Sequence, residues 1–131
     1  MGNAAGPTNT PAPDQRFPPE LRLRRKADFE RVYRRRRSVG DELLVVYGCE
    51  NDLPHPRLGL SVSRKVGGAV VRNRWKRLLR EAFRMHRSEL PSGIDLIVSP
   101  RPGGKPDLQA ITKSLLALAQ RVERRLERKQ P

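Results

Sequence analysis

The chain has 131 residues, with 28 Lys and Arg against 14 Asp and Glu and a formal net charge of +14. That length supports one domain with a small core, and a charge surplus that repels itself in a compact fold points to a polyanionic partner, with nucleic acid ahead of an anionic membrane. No apolar run reaches the roughly 20 residues of a spanning helix, the opening residues do not resemble a secretion signal, and the single cysteine, Cys49, excludes an internal disulfide and a thiolate metal site; a cytoplasmic location is expected.

Residues 1–20 hold five of the twelve prolines, and almost no large apolar side chain precedes Phe17. Such a segment cannot offset its ordering entropy, so a disordered N-terminal tail is predicted. From Leu23 the pattern changes. Phe29, Val32 and Tyr33 fall at i, i+3, i+4 among Arg and Glu, with Asp28 and Glu30 near the start, where acids suit the helix dipole. This predicts a short first helix that runs into Arg34-Arg35-Arg36-Arg37 and ends before Gly40. The arginine run either grips an anion or is a local charge cluster.

A short extra strand can form near Ser38 to Asp41. Leu43 to Tyr47, apolar and β-branched, predicts a strand covered on both faces, and Asn51 to Pro56 is a loop. Arg57 to Ser63 alternates, with Leu58, Leu60 and Val62 against Arg57, Gly59, Ser61 and Ser63, the period-2 mark of a strand whose second face carries small side chains. Gly67-Gly68 then breaks the chain.

The segment Arg72 to Arg84 is the most informative of all. As a helix it places Val71, Trp75, Leu78, Leu79, Ala82 and Phe83 on one buried stripe. Arg72, Arg74, Lys76, Arg77, Arg80, Arg84 and Arg87 then outnumber the lone Glu81 on the rest of its surface. A cationic surplus on a folded helix suits phosphates. Ile94 to Ser99 reads as another strand, closed by Pro100-Arg101-Pro102-Gly103-Gly104. Asp107 is the N-cap of a last helix whose core stripe is Leu108, Ile111, Leu115, Leu118, Val122 and Leu126. Its end is rich in Arg and Lys, as a helix C-terminus favours.

The stretch Arg57 to Arg84, above all Arg72-Asn73-Arg74 followed by Lys76-Arg77 and Arg80, resembles the bacterial ribonuclease P protein subunit. Asp28-Phe29 with Tyr33, Tyr47, and Gly59-Leu60-Ser61-Val62-Ser63 with Lys65 support the likeness, which spans roughly Leu21 to Leu126. It implies a tail over residues 1–20 and a ribonuclease P protein domain over 21–128. The implied fold is an α/β (α+β sandwich) single domain with a four-stranded sheet, about three helices and a left-handed β-α-β crossover, which departs from the usual hand. The implied function is that of a protein cofactor: a catalytic RNA removes the 5′ leader of precursor tRNA, and the protein binds both.

In that family, positions matching Phe29, Tyr33, Val45, Tyr47, Ser61 and Lys65 line a leader-binding cleft. Arg72, Asn73, Arg74, Lys76, Arg77 and Arg80 are assigned to the catalytic RNA. Taken alone, Phe29, Tyr33 and Tyr47 fit either base stacking or ordinary core, and Asn73 fits either a base edge, a 2′-OH or a helix cap. Trp75 belongs to the core. No catalytic residue and no metal site is expected in the protein, because His55, His86, Asp95 and Asp107 form no cluster for acid-base or metal chemistry; Mg2+ is expected to be a need of the holoenzyme. Partners are therefore the catalytic RNA and precursor tRNA, with no membrane and no DNA, since paired short helices with a tight turn are missing. Composition alone also permits a structural RNA-binding protein of ribosomal type. The ordered motif from Lys65 to Arg80 argues against it.

Overall fold

In the computed structural model of the chain, residues 17–127 are described. Three helices, α1 (Lys26–Arg35), α2 (Ala69–Met85) and α3 (Leu108–Glu127), accompany four strands, β1 (Ser38–Gly40), β2 (Leu44–Glu50), β3 (Arg57–Leu60) and β4 (Ile94–Pro100). They form one sheet in the order β1-β2-β4-β3, antiparallel except for the parallel pair β3 and β4. The α+β single domain is therefore observed, short β1 included.

Period 2 divides the sheet into two faces. Leu44 and Val46 on β2 with Leu96 and Val98 on β4 join Trp75, Leu79, Ala82 and Phe83 of α2 and the stripe Ile111, Leu115, Leu118, Val122 and Leu126 of α3 in the main core. Burying a side chain of this size contributes about 1.5–3 kcal/mol, so this face carries most of the stability. The opposite face holds a smaller cluster in which Val32 of α1 packs with Leu23, Cys49 and Ile97, and Phe29 and Tyr47 lean against it.

Element ends follow local chemistry. Arg36 closes α1 in the left-handed region at φ 57°, and its N–H donates to the Tyr33 carbonyl. Gly67, at φ 148°, turns the chain between a 3-10 turn at Arg64–Val66 and α2, a backbone state that side chains rarely adopt. Asp107 caps α3 through its carboxylate, which accepts from the Ala110 N–H at 2.9 Å.

Several expected boundaries shift. The strand predicted over Arg57 to Ser63 ends at Leu60. Ser61 N–H still donates to Val98, but Ser63 turns its hydroxyl to the Lys65 N–H and starts the 3-10 turn. The strand predicted over Leu43 to Tyr47 runs instead over Leu44–Glu50, because β4 pairs along its whole length. Val71 does not complete the α2 stripe and remains 38% exposed. It lies in the first turn, against Gly67 rather than the sheet. Most of the tail predicted over 1–20 falls outside the described residues, but Phe17 is buried and meets Phe83 edge-on at 5.5 Å. The folded part thus begins before residue 21.

A buried carboxylate anchors α1 to the sheet, beside an Arg35–Glu50 ion pair at 3.1 Å. Asp95 of β4 is fully buried and accepts from Arg57 of β3 through both carboxylate oxygens (2.8 and 2.7 Å), from Asn51 Nδ2 at 2.8 Å, and from Arg31 of α1. Arg31 also reaches the Cys49 sulfur at 3.1 Å and the Glu50 carbonyl at 2.9 Å. Burial opposes the charge on Asp95, yet the hydrogen bonds from Arg57, Asn51 and Arg31 prevail and hold its pKa below the ordinary 3.8. A carboxyl depressed on folding contributes stability above its unfolded pKa and loses it as the pH falls through the folded value.

Asp95→Ala is predicted to destabilise the protein near the low end of the roughly 3 to 5 kcal/mol expected when one partner of a buried ion pair is removed, because Arg31 and Arg57 keep some solvent. Denaturant melts at neutral pH measure this. The same melts below pH 4 should show the wild type losing stability more steeply than Asp95→Asn, which cannot titrate.

Candidate nucleic-acid interface

Helix α1 covers only part of its face of the sheet. Phe29 and Val32 lie over Gly59, Cys49 and Ile97, and a Cβ placed on Gly59 would stand 2.8 Å from the Phe29 ring and 3.0 Å from Leu23 Cβ, so the glycine is what lets α1 sit this low. Beyond the helix, Val45 pairs with Ser99, and Ser61 follows Gly59 at the strand period, its N–H bonded to Val98. Val45, Ser99 and Ser61 are half-exposed. Val45 belongs to neither apolar cluster. The result is a shallow trough floored by short side chains.

Tyr33 and Tyr47 stand at the α1 side of the trough, edge to face at 4.9 Å and 79°. Tyr33 is 40% exposed and Tyr47 half-buried, so each keeps ring surface for a planar ligand. Phe29 is partly buried over Gly59 and has less ring to offer. Lys65 lies apart from the rings, on the exposed turn that leads from β3 to α2.

At the other end of the trough stands a residue that sequence reasoning missed. Arg101 donates to the Asp41 carbonyl and brings Nη2 beside Gly40, whose pairing with Val45 places it on the trough face. The signal was available: Ser99 and Arg101 share a face if the strand period is carried one step past Pro100. The proline-rich loop concealed it.

Helix α2 lies on the far side of the sheet and presents Asn73, Arg74, Arg77 and Arg80 to solvent, with Arg72 and Lys76 half-buried. Glu81 binds Arg84 at 2.6 Å, while among the described residues no ion pair engages Arg72, Arg74, Lys76, Arg77 or Arg80. Arg72 Nε is shielded from solvent and finds no acceptor among the described residues. Desolvation and then the like charge of Arg22 push the Arg80 guanidinium down from its ordinary value. Arg22 is held there by stacking on Phe17 at 5.2 Å and by donating to its carbonyl at 2.9 Å. The like charge of Arg22 near Arg80 favours an anion beside the pair. Arg22 was also missed, because its position depends on Phe17, which reads as tail in the sequence. Asn73 does not cap α2, since it lies inside the helix and Gly68 is the N-cap.

Among the described residues no group of three or more His, Cys, Asp or Glu is placed to hold a metal ion, and no helix is long and apolar enough to cross a membrane.

A family model described as Ribonuclease P matches residues 17–123. The chain belongs to the ribonuclease P protein family. It is 41% identical over 98 residues to the ribonuclease P protein component of Lachnoclostridium phytofermentans, covering 74% of this chain and 84% of that relative. It is 39% identical over 95 residues to the component of Staphylococcus aureus, covering 72% and 83%. The Staphylococcus aureus RNase P protein structure superposes with a TM-score of 0.69 at 39% identity, over 79% of this chain and 95% of that one. The Thermotoga maritima RNase P protein gives 0.70 at 35% identity, over 76% and 96%. Ribonuclease P is the endoribonuclease of tRNA 5′ maturation, with catalysis in its RNA, and membership carries partnership with that RNA.

Gly59→Ala is predicted to destabilise the fold by about 1–3 kcal/mol through overpacking against Leu23 and Phe29. Thermal or denaturant melts check it, and unchanged stability would show that α1 can lift off the sheet freely.

Proposed function

We propose that this ribonuclease P protein holds the single-stranded 5′ leader of precursor tRNA in the trough between α1 and the sheet, while α2 meets phosphates of the catalytic RNA. The observation that carries this reading is the half-covered sheet face itself. Its short side chains at Val45, Ser61 and Ser99 let a strand of nucleotides approach closely, the Tyr33 and Tyr47 rings offer stacking surface at one side, and Arg101 supplies a cation at the other. Stacking and backbone charge recognise a single strand without reading its sequence, which suits a leader that differs from one tRNA to the next.

The α2 cations do a different job. Arg72, Arg74, Lys76, Arg77 and Arg80 rest on a helix fixed by Trp75, Leu79 and Phe83, so their spacing is set before binding and less ordering entropy is lost when RNA docks. Asn73, exposed among them, offers a donor and an acceptor to a base edge or a 2′-OH. Lys65, on the turn joining β3 to α2, serves the leader where it leaves the trough. The holoenzyme acts in the cytoplasm and takes its Mg2+ through the RNA, which supplies the reacting centre while the protein binds, orients and neutralises charge.

Two measurements test this. Arg72→Ala with Arg77→Ala should weaken binding to the catalytic RNA and lower the slope of log affinity against log salt by about 0.7 to 0.9 for each phosphate no longer neutralised; an unchanged slope refutes the α2 assignment. Tyr33→Ala should weaken holoenzyme binding of precursor tRNA by about 1 to 3 kcal/mol, one stacked base, and leave mature tRNA unaffected. Equal effects on the two tRNAs would make the ring a structural one.

A further inference from the structure

A second basic surface lies at the free edge of the sheet. Strand β1 is one of the two edge strands, and Arg121, Arg124 and Arg125 of α3 line a recess of about 210 Å³ around Val39 at its side. Arg121 ties the two elements together by donating to the Gly40 carbonyl at 3.4 Å. Arg37, just before β1, extends the pairing by one bond: its carbonyl accepts from the Gly48 N–H, while its guanidinium donates to the Arg36 carbonyl at 3.5 Å. Bonds at Arg37 with Gly48 and at Asp41 with Leu44 leave the intervening Ser38 and Gly40 to direct their N–H groups to the open edge.

Charge is sorted around α3. Glu123 and Glu127 line a different recess with Glu50, while Arg121, Arg124 and Arg125 have no ion pair among the described residues. Asp41, the acid adjoining Gly40, is occupied: it accepts from the Leu43 and Leu44 N–H groups, both at 2.9 Å. A helix dipole explains cations in a last turn, but it does not explain why they gather on the side that faces an edge strand while the acids of the same turns face away. Exposed edge strands are commonly guarded by charge; here the charge also lines a recess beside an edge that carries outward backbone donors. That combination of guanidinium groups and N–H groups is the chemistry that holds a phosphate.

We infer that the β1 edge and the C-terminal half of α3 form a second RNA-backbone site, separate from α2 and from the trough, which takes a phosphate between Arg121, Arg124 and Arg125. It rests on the proposed RNA-binding role and extends it: the protein meets RNA on both sides of β2, so that one polynucleotide segment is held at the sheet edge while another follows the trough. The phosphate comes from the catalytic RNA or from the tRNA body.

The test is the full-length Arg124→Gln/Arg125→Gln variant, whose changes fall on exposed side chains, compared with Lys105→Gln/Lys113→Gln, which removes equal charge near the other end of α3. One arm measures salt-dependent affinity for the catalytic RNA alone, the other the affinity of the assembled holoenzyme for precursor tRNA. The arginine variant should lower the salt slope by about 0.7 to 0.9 per phosphate released in one arm, which assigns the phosphate to that RNA, while the lysine variant changes it less. Unchanged slopes in both arms, or equal reductions for the two variants, would overturn the site. So would self-association of the RNA-free protein that the arginine variant abolishes with RNA binding intact, since the edge would then serve a second copy of the chain. If the wild type bound neither RNA, the RNA-binding role would fail together with this site.

Discussion

A single buried carboxylate determines where α1 can lie. Asp95 sits on a strand that pairs on both sides, and its oxygens are claimed by β3 through Arg57, by the β2–β3 loop through Asn51 and by α1 through Arg31. With the acid buried, each donor offsets part of its burial: Arg31 and Arg57 compensate its charge and Asn51 satisfies a remaining lone pair. The hydrophobic patch beneath α1 is small and would not by itself specify position along the strands. The ion pair fixes α1 over Cys49, Ile97 and Gly59, and so leaves Val45, Ser99 and Ser61 uncovered.

The two faces of the sheet are covered unequally. On one, α2 and α3 close over a continuous core that includes Trp75 and Phe83. That core allows the other face to remain half open, and it makes α2 rigid enough to present its cations at fixed spacing. Polar and small side chains exposed on a sheet usually weaken a fold; here the opposite face offsets that loss. The cost of placing so many like charges on a small domain falls on the free protein and is relieved when RNA binds.

Much of this was legible in the residues. The α3 stripe from Ile111 to Leu126, the Asp107 cap, the alternation in β3 and the apolar side of α2 all follow from periods of 3.6 and 2, because those elements pack one face on a large core. What escaped the sequence depends on partners distant along the chain. Phe17 looked like tail because nothing local shows that Phe83 awaits it. Asp95 looked isolated because its partners lie 38 to 64 residues away. Arg101 and Arg22 were hidden by neighbouring prolines and by the tail assignment, although Arg101 reaches the trough face and Arg22 lies near Arg80 of α2. The Arg34 to Arg37 run, ambiguous as a string, separates in the fold: Arg35 pairs with Glu50, Arg36 ends the helix, and Arg37 donates to the Arg36 carbonyl.

The central claim is that the half-covered face of the sheet is where the leader lies. The most direct measurement places a photo-crosslinking side chain at position 45, on the trough floor, and irradiates the holoenzyme with end-labelled precursor tRNA. The account predicts that leader nucleotides carry the crosslink and that an excess of precursor tRNA, but not of mature tRNA, suppresses it. Crosslinks confined to the catalytic RNA or to the tRNA body would contradict it.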